Sequence, residues 1–280
     1  GMLKAQVTTA GMSGKVMADE ESVIGATVVA VHEPSGTSYG TVTNVDGRFS
    51  LQGMRSGGPY KVTVSYIGYQ TAIYTDIQLQ LGETYSLNVT LHEASELLGE
   101  ITITASKSKF SAEKTGATTN ISSEQLTTLP SINRSISDFT RISPYASGNS
   151  FGGRDGRSNT FTVDGANLNN NFGLSSGLPG GGNPISLDAI DEVQVVIAPY
   201  DVRQANFIGA GINAITKSGT NAYRGSAYMY FNNEVMRGNK IGDTDFGVRA
   251  EESKTVYGAT FGGPIIKDKL FFFANVEYEK

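Results

Sequence analysis

The stretch LFFFANVEYE, Leu270–Glu279, decides the class of this 280-residue chain. Read at period two, Leu270, Phe272, Ala274, Val276 and Tyr278 share one face, and Phe271, Phe273, Asn275, Glu277 and Glu279 share the other. The first face is apolar throughout, and the second turns polar toward its end. An apolar face against lipid and a polar one toward a wet lumen give this pattern, and about ten residues is the span of a tilted membrane strand. A soluble sandwich with one core-facing side gives the same alternation.

Two earlier runs, Tyr223–Phe231 and Thr255–Gly263, have a similar length. The link Asn232–Lys254 is long, polar and charged, as extracellular loops are, and the link Pro264–Lys269 is short, as periplasmic turns are. Three such strands cannot close, and lipid does not tolerate the unpaired backbone at their edges. More strands are therefore expected from a longer protein, of which this chain reads as a fragment. On its own, the stretch 221–280 is expected to be disordered, aggregated, or held by detergent or partner chains. At the other end no signal peptide is visible, and Gly1-Met2 reads as a processing or tag remnant.

Composition removes several classes of function. There is no cysteine, so there is neither a disulfide framework nor a thiolate metal site, and no metal centre is expected. Two histidines, His32 and His92, leave little material for a catalytic triad or a zinc site. Lys and Arg number 22 against 27 Asp and Glu, a net charge of -5 that offers no footprint for nucleic acid. Glycine stands at 34, an excess that favours strands, turns and loops.

Toward the N-terminus, from Ser13 to Leu91, short alternating runs recur between turn signals. Val62, Val64 and Tyr66 alternate with Lys61, Thr63 and Ser65; Leu87, Val89 and Leu91 alternate with Ser86, Asn88 and Thr90. Pro34-Ser35-Gly36, Asn44 to Gly47, Gly57-Gly58-Pro59, Gly68 and Gly82 separate the runs. About seven strands at this spacing predict an immunoglobulin-like sandwich. Asn44-Val45-Asp46-Gly47 is read as a turn: an EF-hand would need an oxygen ligand at Val42.

Between these ends, Ser122 and Gln125 fit a capping box and Pro130 ends that helix, while Arg134–Ile142 predicts a second short helix. Tyr145 to Ile185 holds ten Gly and seven Asn, interrupted by a strand at Thr160–Asp164 and a hairpin signal at Asp164-Gly165. Apolar strands follow at Val193–Ile197, after a Ser186-capped turn, and at Ile212–Thr216. Gly209-x-Gly211-x-x-Ala214 matches a dinucleotide fingerprint, but β-branched INAIT follows where a helix is required. Gly211-x-x-x-x-Thr216-Lys217-Ser218 misses the second glycine of a P-loop.

Four resemblances join these parts. GTVTNVDGRFSLQGM and YKVTVSYIGYQ (Gly40–Met54, Tyr60–Gln70) resemble the carboxypeptidase regulatory-like domain, through the Asp46-Gly47-x-Phe49 turn and the Tyr66-x-Gly68-Tyr69 strand end. FGGRDGRSNTFTVDGANLNN (Phe151–Asn170) and ISLDAIDEVQVVIAPYDVRQANFIGAGINAITKSGTN (Ile185–Asn221) resemble the plug domain of TonB-dependent outer-membrane receptors. FGGPIIKDKLFFF is similar to receptors of the branch that carries an N-terminal regulatory-like domain. Glu100-Ile101-Thr102-Ile103-Thr104-Ala105 resembles the TonB box, an extended peptide that pairs with a strand of the periplasmic TonB protein. Read alone, it is an ordinary strand of the next domain. One departure stands out. Ile190-Asp191-Glu192-Val193-Gln194-Val195 lacks the basic residue of the wider family's pattern and carries Gln194 in place of an acid, which puts the usual plug-to-wall ion pairs in doubt.

The expected architecture is mainly β: an immunoglobulin-like β-sandwich, an α+β plug, then the first strands of a transmembrane β-barrel. The expected boundaries are 1–12 flexible, 13–93 sandwich, 94–118 linker with the TonB-box-like segment, 119–220 plug and 221–280 barrel strands. The resemblance implies a nutrient transporter of the Gram-negative outer membrane, with the sandwich in the periplasm, no covalent chemistry and no cofactor. Gly99, Glu100, Ile101, Thr102, Ile103, Thr104 and Ala105 would engage a TonB-type energy-coupling protein. Arg154, Asp155, Arg157, Asn167, Asn169, Asn170 and Asn171 would sit in plug loops facing an extracellular nutrient, although Asn in loops also simply forms turns. Barrel lipid and a surface lipoprotein complete the expected partners. A surface structural or adhesion protein built from sandwich modules is the alternative. A hydrolase finds no nucleophile–base pair to support it.

Overall fold

Tyr60, Val62 and Val64 are all fully buried, while the residues between them are not, so the period-two pattern read from the sequence is a strand packed on one face. In the computed structural model of the chain, the described residues are 8–94, 101–104, 118–128, 134, 136–140, 142–147, 150–168, 185–197, 209–237, 239–245, 247 and 253–280. They fall into two compact units, Gly1–Thr216 and Lys217–Lys280.

The first unit opens with strands β1 (Ala10–Ala18), β2 (Glu21–Ser22), β3 (Thr27–His32), β4 (Thr37–Val42), β5 (Arg48–Met54), β6 (Gly57–Ser65), β7 (Ala72–Leu79), β8 (Thr84–Ser86) and β9 (Val89–Leu91). β1 pairs antiparallel with β2 and β5 and parallel with β8 and β9. The second sheet runs β7-β6-β3-β4 and gains one more strand, β10 (Ile101–Thr104), at its β7 edge. Between the sheets lies a core that includes Met12, Val16, Phe49, Leu51, Tyr74 and Leu91. Burying one such large side chain contributes roughly 1.5–3 kcal/mol.

β1 corrects the expected boundary. Ala10 and Met12, assigned to a flexible stretch 1–12, are core residues, because β1 must reach that far to pair with Met54 and Leu51. The Asn44–Gly47 signal is an Asx turn: Asn44 Oδ1 accepts from the amides of Asp46 (3.0 Å) and Arg48 (2.8 Å). Gly47 has φ +71, and a Cβ there would lie 2.6 Å from the Val16 carbonyl, so only glycine fits.

The rest of the unit is a five-stranded sheet with short helices. Its elements are β11 (Thr118–Ser122), α1 (Ser123–Thr128), α2 (Ile136–Thr140), β12 (Ala146–Ser147), β13 (Ser150–Phe151), β14 (Thr160–Val163), β15 (Ala166–Asn167), β16 (Ile190–Val196) and β17 (Gly211–Thr216). The strand order is β11-β16-β17-β14-β15. Ser122 N–H donates to Gln125 Oε1 (3.1 Å) and Gln125 N–H to Ser122 Oγ (3.5 Å), the reciprocal capping box. Asp164-Gly165, both at positive φ, form the two-residue turn that joins β14 to β15. Ser186 caps a 3-10 turn at Leu187–Ala189. Ile121, Leu126, Ile136, Phe161, Val193 and Ile212 belong to the core of this middle domain. A strand at Gly211–Thr216, where a nucleotide site would place a helix, bears out the rejection of the dinucleotide fingerprint.

The second unit is the antiparallel sheet β18 (Arg224–Asn233), β21 (Ser253–Ile266) and β22 (Leu270–Glu279), with the small hairpin of β19 (Lys240–Ile241) and β20 (Thr244–Asp245) in the β18–β21 connection. Register makes its two faces unlike. Met229, Tyr257 and Tyr278 lie in one row across the strands, followed by Ala227, Ala259 and Val276 in the next on the same face. This face is apolar and open, with Val276 70% exposed. On the opposite face Ser226 bonds Thr260 (2.6 Å), Tyr228 O–H donates to Glu277 (2.8 Å), and Lys254 pairs with Glu279 (2.8 Å). A soluble sheet buries its apolar face; this sheet leaves that face open, as a barrel strand facing lipid does.

Candidate functional site

Four of the seven residues expected to engage TonB are described. Ile101, Thr102, Ile103 and Thr104 form β10, which pairs in parallel with Ala72, Ile73, Tyr74 and Thr75 of β7. Gly99, Glu100 and Ala105 lie outside the described residues. The segment is therefore a strand of the preceding sandwich, not of the next domain. Among the described residues β10 is the terminal strand of its sheet, and Ile103 is 41% exposed. Just past the last described rung, Asp76 takes a positive φ of 61 within β7.

On the candidate nutrient-facing loops, Asp155 and Arg157 satisfy each other. Asp155 caps the 3-10 turn Gly156–Ser158 through the Arg157 amide (2.8 Å), and its carboxylate also accepts from Arg157 Nε (3.0 Å) and Nη2 (3.1 Å). The Arg157 side-chain hydrogen bonds hold Asp155 down at about 2 and raise Arg157 in turn. Arg154 is exposed beside them. Asn167 is exposed on β15, opposite Thr162, and the hairpin returns the chain toward the end of β14 that follows the 154–158 loop. Arg154, Asp155 and Arg157 share the loop that enters β14, whereas Asn167 lies opposite Thr162, toward the Asp164-Gly165 turn at the other end of that strand. Asn169, Asn170 and Asn171 lie outside the described residues.

A polar contact between the sandwich and the middle domain had only a faint signal in the sequence. The tight turn after β7 offers Leu81 to β16 and β11. The Leu81 amide donates to both carboxylate oxygens of Glu192 (3.1 and 3.2 Å). Its carbonyl accepts from Gln194 Nε2 and from Asn120 Nδ2 (3.4 Å). Gly82, at φ +71, lies so close that a Cβ would sit 2.7 Å from Gln194 Nε2. Burial pushes Glu192 up to about 7, against the lowering effect of the Leu81 hydrogen bond, with Asp191 and Glu83 adding to the rise. Glu192 and Gln194 are the residues where the sequence departs from the wider receptor pattern. Their spacing of two inside an apolar strand is the signal: β16 is buried on both faces, with Val193 and Val195 on the middle domain's core and Glu192 and Gln194 on the sandwich turn.

Among the described residues no group of three or more His, Cys, Asp or Glu could hold a metal ion. Among them, too, no helix is long and apolar enough to cross a membrane, which leaves β-strands untouched.

Comparison with known proteins gives two domain matches and a similar transporter. Residues 11–92 match the carboxypeptidase regulatory-like domain, and residues 215–280 match the outer membrane beta barrel domain. The TonB-dependent transporter Oar of Myxococcus xanthus is 26% identical over 253 residues, covering 84% of this chain and 23% of Oar. The chain thus spans less than a quarter of that relative's length. Among solved structures, the siderophore receptor PirA of Acinetobacter baumannii aligns over 58% of this chain and 24% of its own, at 22% identity and a TM-score of 0.43. A mutant of the ferric enterobactin receptor PfeA of Pseudomonas aeruginosa aligns over the same shares at 16% identity and a TM-score of 0.41. The homologous transporter is not an enzyme, and the barrel domain places the chain in the outer membrane. The chain thus carries a match to the carboxypeptidase regulatory-like domain ahead of a match to the outer membrane beta barrel domain, and over most of its length it is similar to a TonB-dependent transporter.

Proposed function

We propose that the chain is part of a receptor that binds a nutrient at the cell surface and takes it up with energy delivered from the inner membrane. In this reading the sandwich faces the periplasm, the middle domain is the plug, and Gly99–Ala105 engages a TonB-type protein. Arg154, Arg157, Asn167 and Asn169–Asn171 contribute to the nutrient-facing end of the plug, with Asp155 holding Arg157 in place. The observation that carries the reading is the sheet β18-β21-β22, whose open apolar face and cross-bonded polar face suit lipid outside and water within. β10 supports it as well: a strand that has one unpaired edge among the described residues suits recognition by strand addition.

The test is a full-length receptor lacking residues 99–105, expressed in a receptor-deletion strain. The nutrient is the one whose use that strain loses in a growth screen. Surface binding is expected to persist while uptake is lost. Uptake that survives the deletion contradicts the assignment of the segment.

A further inference from the structure

Nothing in the resemblance gives the sandwich a task. Two contacts at opposite ends of β7 do. At one end β7 holds β10 through four parallel rungs, Ile101↔Ala72 to Thr104↔Thr75. At the other end β7 runs directly into the turn that offers Leu81 to Glu192 and Gln194 of β16 and to Asn120 of β11. β16 lies between β11 and β17 in the middle sheet, so it is held along both edges. The path β10, β7, Leu81, β16 is therefore continuous, and it uses only strand ladders and one buried polar contact.

A strand's successive residues point their amides and carbonyls to opposite sides, so among the described residues pairing with β7 leaves the outer edge of β10 open to another strand. A partner can add there without first removing β10 from β7, and it meets a segment whose backbone is already ordered.

We propose that the sandwich is a mechanical coupler: β10 stays paired to β7 while a TonB-type strand adds to its open edge, and a pull on β10 reaches β16 through β7 and Leu81. This inference rests on the reading that residues 99–105 engage a TonB-type protein. It makes the sandwich part of the drive train. Without it, force would pass along the covalent link between β10 and β11 alone.

The experiment locks β10 in place. Thr75 and Thr104 are Cα partners on the last rung, Thr75 is only half-buried, and the chain has no cysteine of its own. In the full-length receptor, the pair Thr75→Cys and Thr104→Cys is oxidised in the outer membrane, with thiol labelling to count free cysteines. The single-cysteine variants and the reduced pair control for the substitutions.

The disulfide is expected to form, and the oxidised receptor is expected to bind the purified periplasmic domain of the TonB-type protein and to retain uptake. Failure of the disulfide to form, or loss of binding or uptake on oxidation with recovery on reduction, overturns the inference and leaves the assignment of 99–105 standing. If the unmodified receptor does not bind the TonB-type domain at all, the functional reading fails and the inference fails with it.

A second arm breaks the far end. Gly82→Ala crowds Gln194 from the sandwich side while leaving the middle domain's sequence unchanged, and Glu192→Ala with Gln194→Ala removes the grip itself. Both are expected to lose uptake while surface nutrient binding and affinity for the TonB-type domain stay unchanged. Undiminished uptake in both overturns the proposed path.

Discussion

Glu192 and His32 carry opposite pH responses, each set by burial. Glu192 is raised to about 7 in the folded protein from an ordinary 4.5, so the folded state favours its protonated form. Its share of stability is fully present below the unfolded value and is lost as pH rises through about 7. At most a few kcal/mol is involved, at about 1.4 kcal/mol per pKa unit. Glu192→Gln should flatten the loss between pH 5 and pH 8 in thermal unfolding of the receptor; an unchanged slope would mean that another group titrates. His32 is buried, bonded through Nδ1 to Ser35 Oγ (2.7 Å) and packed 5.0 Å from the Tyr60 ring. Burial, helped by the Arg55 charge, lowers it to about 4 from 6.5. Its contribution is present above the unfolded value and is lost as pH falls through about 4. Acidification from pH 7 to pH 4 should therefore weaken the sandwich by about 2 kcal/mol, and His32→Leu should remove that dependence. Equal acid sensitivity in the variant would contradict the assignment.

At the scale of elements, what could be read from sequence was local. Period-two alternation marks β6 and β22, Asp164-Gly165 marks the β14–β15 turn, and Ser186 marks its cap, because each depends on residues a few positions apart. What escaped depended on long-range partners. Nothing near Ala10 says that β1 begins there; its partner Met54 does. ITIT is β-branched enough to be a strand, but only the unpaired edge of β7 decides where it pairs. Glu192 and Gln194 were visible as departures from a pattern, yet a polar residue in a strand does not say which domain it faces. The faces of β22 yield a direct prediction. Arg at Val276, on the open apolar face, should cost roughly 2–4 kcal/mol near the bilayer midplane, whereas Arg at Asn275, on the polar face, should be tolerated. Barrel assembly followed by heat-modifiability on gels checks this, and equal assembly of the two variants would remove the lipid-facing assignment.

At the scale of the molecule, the first unit combines two hydrophobic cores with one buried polar contact between them, and the second presents lipid-type and lumen-type faces. The glycine excess has a place in this arrangement: glycines sit at the tight turns that let strands return, and at Gly82 one admits the close contact between sandwich and middle domain. The absence of cysteine fits a protein held by strand pairing. The proposed function requires that inner-membrane energy reach an outer-membrane transport step through residues 99–105. The most direct test measures internalised and surface-bound nutrient side by side, in cells carrying the native receptor and in cells carrying the receptor without those residues. The account predicts equal surface binding and no internalisation in the deletion; internalisation at the native rate would contradict it.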